Sequence, residues 1–430
     1  MNKLTGKDYI LGVQHMFAMF GATVLVPLLT GLSVSTTLLM AGLGTLLFHL
    51  ITGGKVPAFL GSSFAFLGGY AAIAPMLEDG SANIEMLPYA SLGVMCAGLL
   101  YFVVALLFKV FDVKKVMKFF PPVVTGPIII AIGLILAPTA IANSQANWPI
   151  AIIAFATIVI CNIYGKGMVK IIPILLGVLV SCGAAVVFEL CGVEVFDAGK
   201  LQALQDAAWI GFPINMNMTI LAVKDPSLAI SAVIAIMPIA IAAMMEHIGD
   251  ISAISSTVGK NYIADPGLHK TLLGDGLATS LSAMFGGPAN TTYGENTGVL
   301  ALTKVYDPRV VRIAAYLAIV LSFSPKVAAL ISLIPTAVIG GVSLILYGMI
   351  SAIGTRNLVE NKVDLAESRN IIIAATILVA ALGFNSIGGV TFAIAGTDVT
   401  LTGLAIAAIL GIGLNAILPG KDYEFTTEDN

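Results

Sequence analysis

The sequence predicts an all-α polytopic membrane protein: fourteen transmembrane segments in a 7+7 inverted repeat, with two short antiparallel strands where spans 3 and 10 are broken. Three observations carry that expectation. Of 430 residues, 58% are hydrophobic and only 10% charged, with a mean hydropathy of +0.99, where a soluble domain carries about a quarter charged residues. The basic residues fall on alternate loops, and the second half of the chain echoes motifs of the first.

About 20 apolar residues cross a bilayer as a helix. Apolar windows between Gly, Pro and charge breaks place spans near 8–29, 35–52, 57–76, 87–108, 117–137, 148–164, 169–190, 228–250, 268–286, 289–303, 310–324, 327–353, 370–384 and 399–418. The amino terminus, MNKLTGKDYI, lacks a signal-peptide cleavage pattern and runs directly into the first span. With that end inside, 18 of the 21 Lys and Arg residues lie on inside segments, and only Lys200, Lys224 and Lys326 lie outside. Basic residues accumulate on cytoplasmic loops, so both termini are expected in the cytoplasm and the chain in an inner or plasma membrane. The polar stretch 191–226 joins two halves on the outside, and the acidic tail KDYEFTTEDN is expected to be disordered.

PPVVTGPIIIAIG from Pro121 resembles PTAVIGGVSLILY from Pro335, an offset of 335 − 121 = 214 against a half-length of 215. VPAFLGSSF, ending at Phe64, resembles FGGPANTTY, ending at Tyr293, so Ser62, Ser63 and Phe64 answer to Thr291, Thr292 and Tyr293. Seven spans per half is odd, which inverts one repeat relative to the other. Both triplets follow helix breakers, Pro57 with Gly61 and Gly286, Gly287 with Pro288. Extended backbone at membrane depth is tolerated only where protein covers it or it lines a cavity. Each triplet therefore reads as a strand leading into a half-helix, and the two strands can pair. Amides at Phe64, Ala65, Gly294 and Glu295 would then head the half-helices and favour carbonyl oxygens or an anion between them; the alternative is two polar kinks that satisfy each other.

Four of the 24 acidic residues stand deep in spans: Glu246, Asp250, Asp275 and Glu295. Each costs about 2.5 to 3.5 kcal/mol at a helix centre on insertion scales, and no Lys or Arg within a span neutralises them. Glu246 and Asp250, four apart, share a helix face, and two carboxylates so close in a low dielectric are not both ionised. One of them is expected to carry a proton, the minimum equipment for proton symport; a hydrogen-bonded structural pair is the alternative. Asp275, in LLGDGLATS, reads as structural before functional. His15 is either a partner for a carboxylate or a helix-packing polar group, and His49, His247 and His269 have weaker claims. Cys96, Cys161, Cys182 and Cys191 lack metal-ligand spacing and read as packing. A net charge of −3 with no basic patch argues against nucleic acid. HExxH, paired CxxC, GxSxG and Walker sequences are all absent, so the chain is not read as an enzyme or an ATP-driven pump.

Glu295, Asn296, Thr297 and Gly298, then four residues, then Thr303 and Lys304 resemble the signature of the nucleobase-ascorbate transporters, the second family of nucleobase-cation symporters. QHMFAMFGATVLVP, KVPAFLGSSFAF, EHIGD, DPGLH and NTTYGENTGV extend the similarity over nearly the whole chain. The resemblance implies a core domain of spans 1–4 and 8–11 (1–110 and 227–325) and a gate domain of spans 5–7 and 12–14 (111–226, with the outer loop, and 326–418), followed by the tail 419–430. It implies uracil as substrate, or xanthine or another oxopurine in its place, with no cofactor beyond the coupling proton and a homodimer formed through the gate domains. Glu246 would hold the base and Glu295 a ring N–H; backbone groups at Phe64 and Gly294 would meet its polar edge, beside Ser63, with Tyr293 bordering the pocket. Proton coupling would fall to Glu246 and Asp250, with His15 nearby. Asp250 departs from the histidine of the uracil branch towards the aspartate of the purine branch, whereas Glu295 departs from the purine branch's glutamine. An anion carrier of related architecture and a base-binding sensor remain as readings of other classes.

Overall fold

The computed structural model describes residues 4–77, 81–111, 118, 121–394 and 397–420. The tail from 421 and the basic residues Lys3, Lys114, Lys115 and Lys421 lie outside the described residues. The first half runs through α1 (Gly6–Thr30), α2 (Val34–Ile51), β1 (Leu60–Ser62), a 3-10 turn (Phe64–Phe66), α3 (Leu67–Ile73), α4 (Leu87–Val110), α5 (Pro122–Gln145), α6 (Trp148–Tyr164), α7 (Pro173–Leu190) and α8 (Ala198–Asp206). The second half follows with α9 (Pro226–Ile236), α10 (Ile239–Val258), α11 (Leu268–Met284), β2 (Asn290–Thr292), α12 (Gly294–Thr303), α13 (Pro308–Ser322), α14 (Pro325–Ser332), α15 (Thr336–Glu360), α16 (Ser368–Ser386), the hairpin β3 (Val390–Ile394) and β4 (Thr397–Leu401), and α17 (Gly403–Ile417).

Helix ends follow the local chemistry. Ser33, Asn147, Asp225, Asp307, Ser324 and Thr402 each accept a hydrogen bond from an amide of the first turn they precede, and so satisfy donors that membrane or protein surroundings would otherwise strand. Among the described residues, seven helices are long and apolar enough to cross a membrane, nine if the bent pairs α9–α10 and α13–α14 each count as one. Length and composition therefore reach fewer than the fourteen crossings expected.

Three expectations change. The span expected at 228–250 is two helices, α9 and α10, bent by 40° at Met237–Pro238, and α10 continues to Val258. The span expected at 327–353 divides into α14 and α15: Pro335 disfavours helical backbone before it, and α14 turns 90° from α13. The hairpin β3–β4 was not expected; its antiparallel register runs from Val390 opposite Leu401 to Ile394 opposite Thr397. The expected strands in the two broken segments are present: β1 and β2 pair antiparallel, Leu60 opposite Thr292, Gly61 opposite Thr291 and Ser62 opposite Asn290. Both are fully buried.

Candidate functional site

A two-stranded ribbon has two outer edges, and inside a membrane protein neither can be left to water. Two threonines close them. The Thr45 hydroxyl on α2 accepts from Leu60 N (2.9 Å) and donates to Leu60 O (3.2 Å). The Thr279 hydroxyl on α11 accepts from Asn290 N (3.1 Å) and donates to Asn290 O (2.9 Å). Outside the three paired positions the ribbon extends through Ser63 N to Ala289 O (2.8 Å) and Tyr293 N to Phe59 O (3.0 Å). His49, buried on α2, ties the approach to β1: its Nε2 lies 2.8 Å from Ala58 O and its Nδ1 accepts from Arg312 Nε at 3.2 Å.

Ser62 donates to Thr23 O of α1 (2.9 Å), and the Tyr293 hydroxyl donates to Ser62 O (2.9 Å). The Tyr293 ring lies over Gly61, where a Cβ would collide with it; only glycine allows this approach. Tyr293 is thus a buried wall whose polar end is turned into the frame.

Beyond the strands, the turn at Phe64 leads into α3, and Gly294 opens α12. Phe64, Glu246, Asp250 and Glu295 are half-buried and Gly294 is exposed, so these groups border open space, while Ser63 is buried with a hydroxyl that has no partner among the described residues. The Glu295 carboxylate folds back on its own amide. Thr292 donates to Asp250 Oδ2 at 2.8 Å, and the other Asp250 oxygen lies 3.9 Å from where a Cβ on Gly294 would stand. Glu246, Asp250 and Glu295 are close enough for their charges to act on one another. The chemistry available is therefore carboxylate acceptors on α10 and α12, amide donors at two half-helix starts, and an apolar wall. The described residues contain no metal-binding cluster.

The remaining predicted residues take framing positions. His15 is buried against Asn296, whose amide nitrogen lies 3.1 Å from His15 Nδ1 and donates to His15 O at 3.1 Å. Thr303 bonds back to Val299 O (2.8 Å) and Lys304, with φ 54°, ends α12 in the left-handed conformation. Gly298 is exposed with free space around it. Sequence reasoning ranked His247 too low. It is fully buried, with Nδ1 3.3 Å from Asp275 Oδ2 and 3.5 Å from the Thr292 hydroxyl. Its position in EHIGD, between the two acids of α10, was the available signal. Beside these groups, a narrow cleft of about 10 Å³, room for about one water, is lined by Ala65, Gly68, Ile132, Ile239, Asn385 and Leu404 between the α3–α10 side and α5, α16 and α17.

A family model described as "Permease family" matches residues 6–387. The chain belongs to the nucleobase-ascorbate transporter family. This permease is a multi-pass membrane protein and a transporter rather than an enzyme. It is 42% identical to the uracil permease of Bacillus caldolyticus, over 97% of this chain and 93% of that protein. It is 39% identical to the uracil permease of Bacillus subtilis (96% and 92%) and 38% identical to that of Escherichia coli K12 (95% and 90%). In fold the transporter is similar to the transmembrane domain of the cyanobacterial bicarbonate transporter BicA, with TM-score 0.63 and 16% identity over 96% of this chain and 99% of that one.

Proposed function

We propose that this transporter is a proton-coupled uracil symporter of the inner or plasma membrane, working by alternating access between a core domain (1–110 and 227–325) and a gate domain (111–226 and 326–418). The observation that carries this reading is that the turn at Phe64 and the half-helix carrying Gly294 and Glu295 both pack against α10, which carries Glu246 and Asp250, in a chain about 40% identical to uracil permeases along nearly its whole length. Uracil is a flat ring with N–H donors and carbonyl acceptors, so it requires carboxylates, amides and an apolar wall. Glu246 holds the base, Glu295 leaves its own amide to accept a ring N–H, and the freed amides with Ser63 meet the carbonyl edge. Protonation of Glu246, with Asp250 beside it, favours loading; release of the proton inside favours unloading. His15 sets α1 against α12 through Asn296. The signature residues Gly298, Thr303 and Lys304 set the clearance and the end of the half-helix.

The packing supports a fourteen-span inverted repeat, and the distribution of Lys and Arg supports cytoplasmic termini. When each element is exchanged for its counterpart, the contacts map onto one another: α6 on α7 answers to α16 on α17, α2 on α13 to α11 on α4, α5 on α16 to α15 on α6, and α1 on α7 to α10 on α17. β1 with β2 and α5 with α15 map onto themselves. Thr45 and Thr279 obey the same exchange. The shorter α3, α6, α11, α12 and α17 then count as crossings. A homodimer through the gate domain is part of the same reading.

Asp250 on α10 favours an oxopurine as the second reading. Uptake of labelled uracil into liposomes, competed with thymine, xanthine, hypoxanthine and adenine, separates them. Uracil should compete best and a protonophore should abolish uptake; stronger competition by xanthine, or uptake that follows sodium, overturns the substrate or the coupling respectively.

A further inference from the structure

The segment after α8 is tightly held yet hides almost none of its own apolar side chains. Gly211 N donates to Phe323 O at 2.9 Å and Lys326 N to Ala208 O at 3.0 Å. Lys326 Nζ donates to Leu204 O (2.6 Å) and Gln205 O (3.0 Å), the last carbonyls of α8, and lies 5.8 Å from the centre of the Trp209 ring. Further on, Pro213 O accepts from Thr36 Oγ1 at 2.6 Å. A Cβ on Gly211 would come within 2.5 Å of Pro325 Cγ, so the segment is seated directly on the start of α14. Despite these ties, Trp209, Ile210 and Phe212 are 74 to 83% exposed.

What lies below them says what covers them. α13 packs along α1 and α2, both long enough to cross a membrane. Across residues 308–332, every exposed residue is apolar or aromatic: Tyr316, Val320, Phe323 and Leu330. Tyr316, Val320 and Phe323 are four and three residues apart and form one stripe along the helix, as a lipid-facing side requires. At the top of that stripe the chain turns 90° into α14, and Phe323 O holds Gly211. The exposed trio thus continues a lipid-facing surface at the level where the helix ends, with a lysine and a tryptophan together, the residues that settle at the boundary between hydrocarbon and headgroups.

We propose that Trp209, Ile210 and Phe212 form an interfacial anchor that inserts into the headgroup and upper acyl region of the bilayer, seated on the α13–α14 bend by Gly211 and Lys326. The anchor fixes the depth of the two connections, α8 and α14, that clasp each other here.

Trp148 and Trp209 are the two tryptophans of the sequence, so Trp148→Phe isolates Trp209. In phosphatidylcholine vesicles the emission of Trp209 should fall about two-fold with lipids brominated near the carbonyl end of the chains, less with lipids brominated near the methyl end, and little with aqueous iodide. Strong quenching by iodide without quenching by lipid places the trio in water and overturns the proposal. Insensitivity to both quenchers places it against protein, such as a second copy, and overturns it equally. Should Trp148→Phe fail to fold, the difference between the unmodified chain and Trp209→Phe gives the same reading. Gly211→Val should abolish the lipid quenching while the far-ultraviolet circular dichroism stays unchanged; unaltered quenching would remove the seat on Pro325 from the proposal.

Discussion

The two strands at the centre of the molecule are built alike and do different things. Each has a threonine from the preceding helix on its outer edge and each leads into a half-helix. Around β1, however, the polar groups serve the frame: Ser62 is bound to α1 and receives Tyr293. Around β2, Thr292 reaches Asp250 and the next turn carries Glu295. A symmetric frame supplies two facing helix starts, while a base with unlike edges needs its acceptors gathered on one side. In the proposed site the acids accordingly come from α10 and α12, and the β1 side would contribute amides and the Phe64 ring.

The largest test of that difference is at the acids. Glu246→Gln and Glu295→Ala should each weaken uracil binding about 100-fold, the size of a lost charged hydrogen bond in a buried site, whereas Ser63→Ala on the β1 side should change it about three-fold or less. Isothermal titration in detergent reads all three. Equal losses would mean that both half-sites carry the chemistry.

Thr45→Val and Thr279→Val test the likeness instead. Each removes a hydroxyl that satisfies a buried N–H and a buried C=O, and should cost about 1–3 kcal/mol. Because both make the same pair of bonds, the two losses in thermal unfolding should match. A loss confined to one would show that the frame is not shared between the halves.

Much of this was legible in the sequence for physical reasons. Charge exclusion marks spans, Pro57 and Pro288 with their glycines mark breaks, and an acid without a cation marks a candidate site. The hairpin β3–β4 was missed although Val390, Thr391 and Phe392 carry the β-branched and aromatic signature of a strand, because windows of helical length leave most of it between the spans expected at 370–384 and 399–418. The break between α14 and α15 was also missed: Pro335 stands inside the span expected at 327–353, and a proline reads as well for a helix start as for a kink within one helix. Contacts between distant helices, such as His15 with Asn296 and His247 with Asp275, depend on rotation about helix axes that residue spacing alone does not set.

The smallest expected effect lies at the N-terminal ends of α13 and its counterpart α4. Asp307 caps α13, accepting from Arg309 N at 2.9 Å, whereas Met86 before α4 offers no side-chain cap. The hydrogen bond from the Arg309 guanidinium holds the Asp307 carboxyl below the usual carboxylate range. A carboxyl lowered on folding contributes stability that is present above its unfolded value, about pH 4, and is lost as the pH falls through the lowered folded value. The pair is about a third exposed, so solvent screening leaves it about 0.5 kcal/mol or less. Asp307→Asn, which keeps the cap and removes the charge, should therefore cost that much at pH 7 and nothing once the native carboxyl is protonated. Asp307→Ala should lose about 1 kcal/mol more at both. Thermal unfolding of the three chains at the two pH values separates cap from charge, and an equal cost for Asp307→Asn at both would assign the whole effect to the cap.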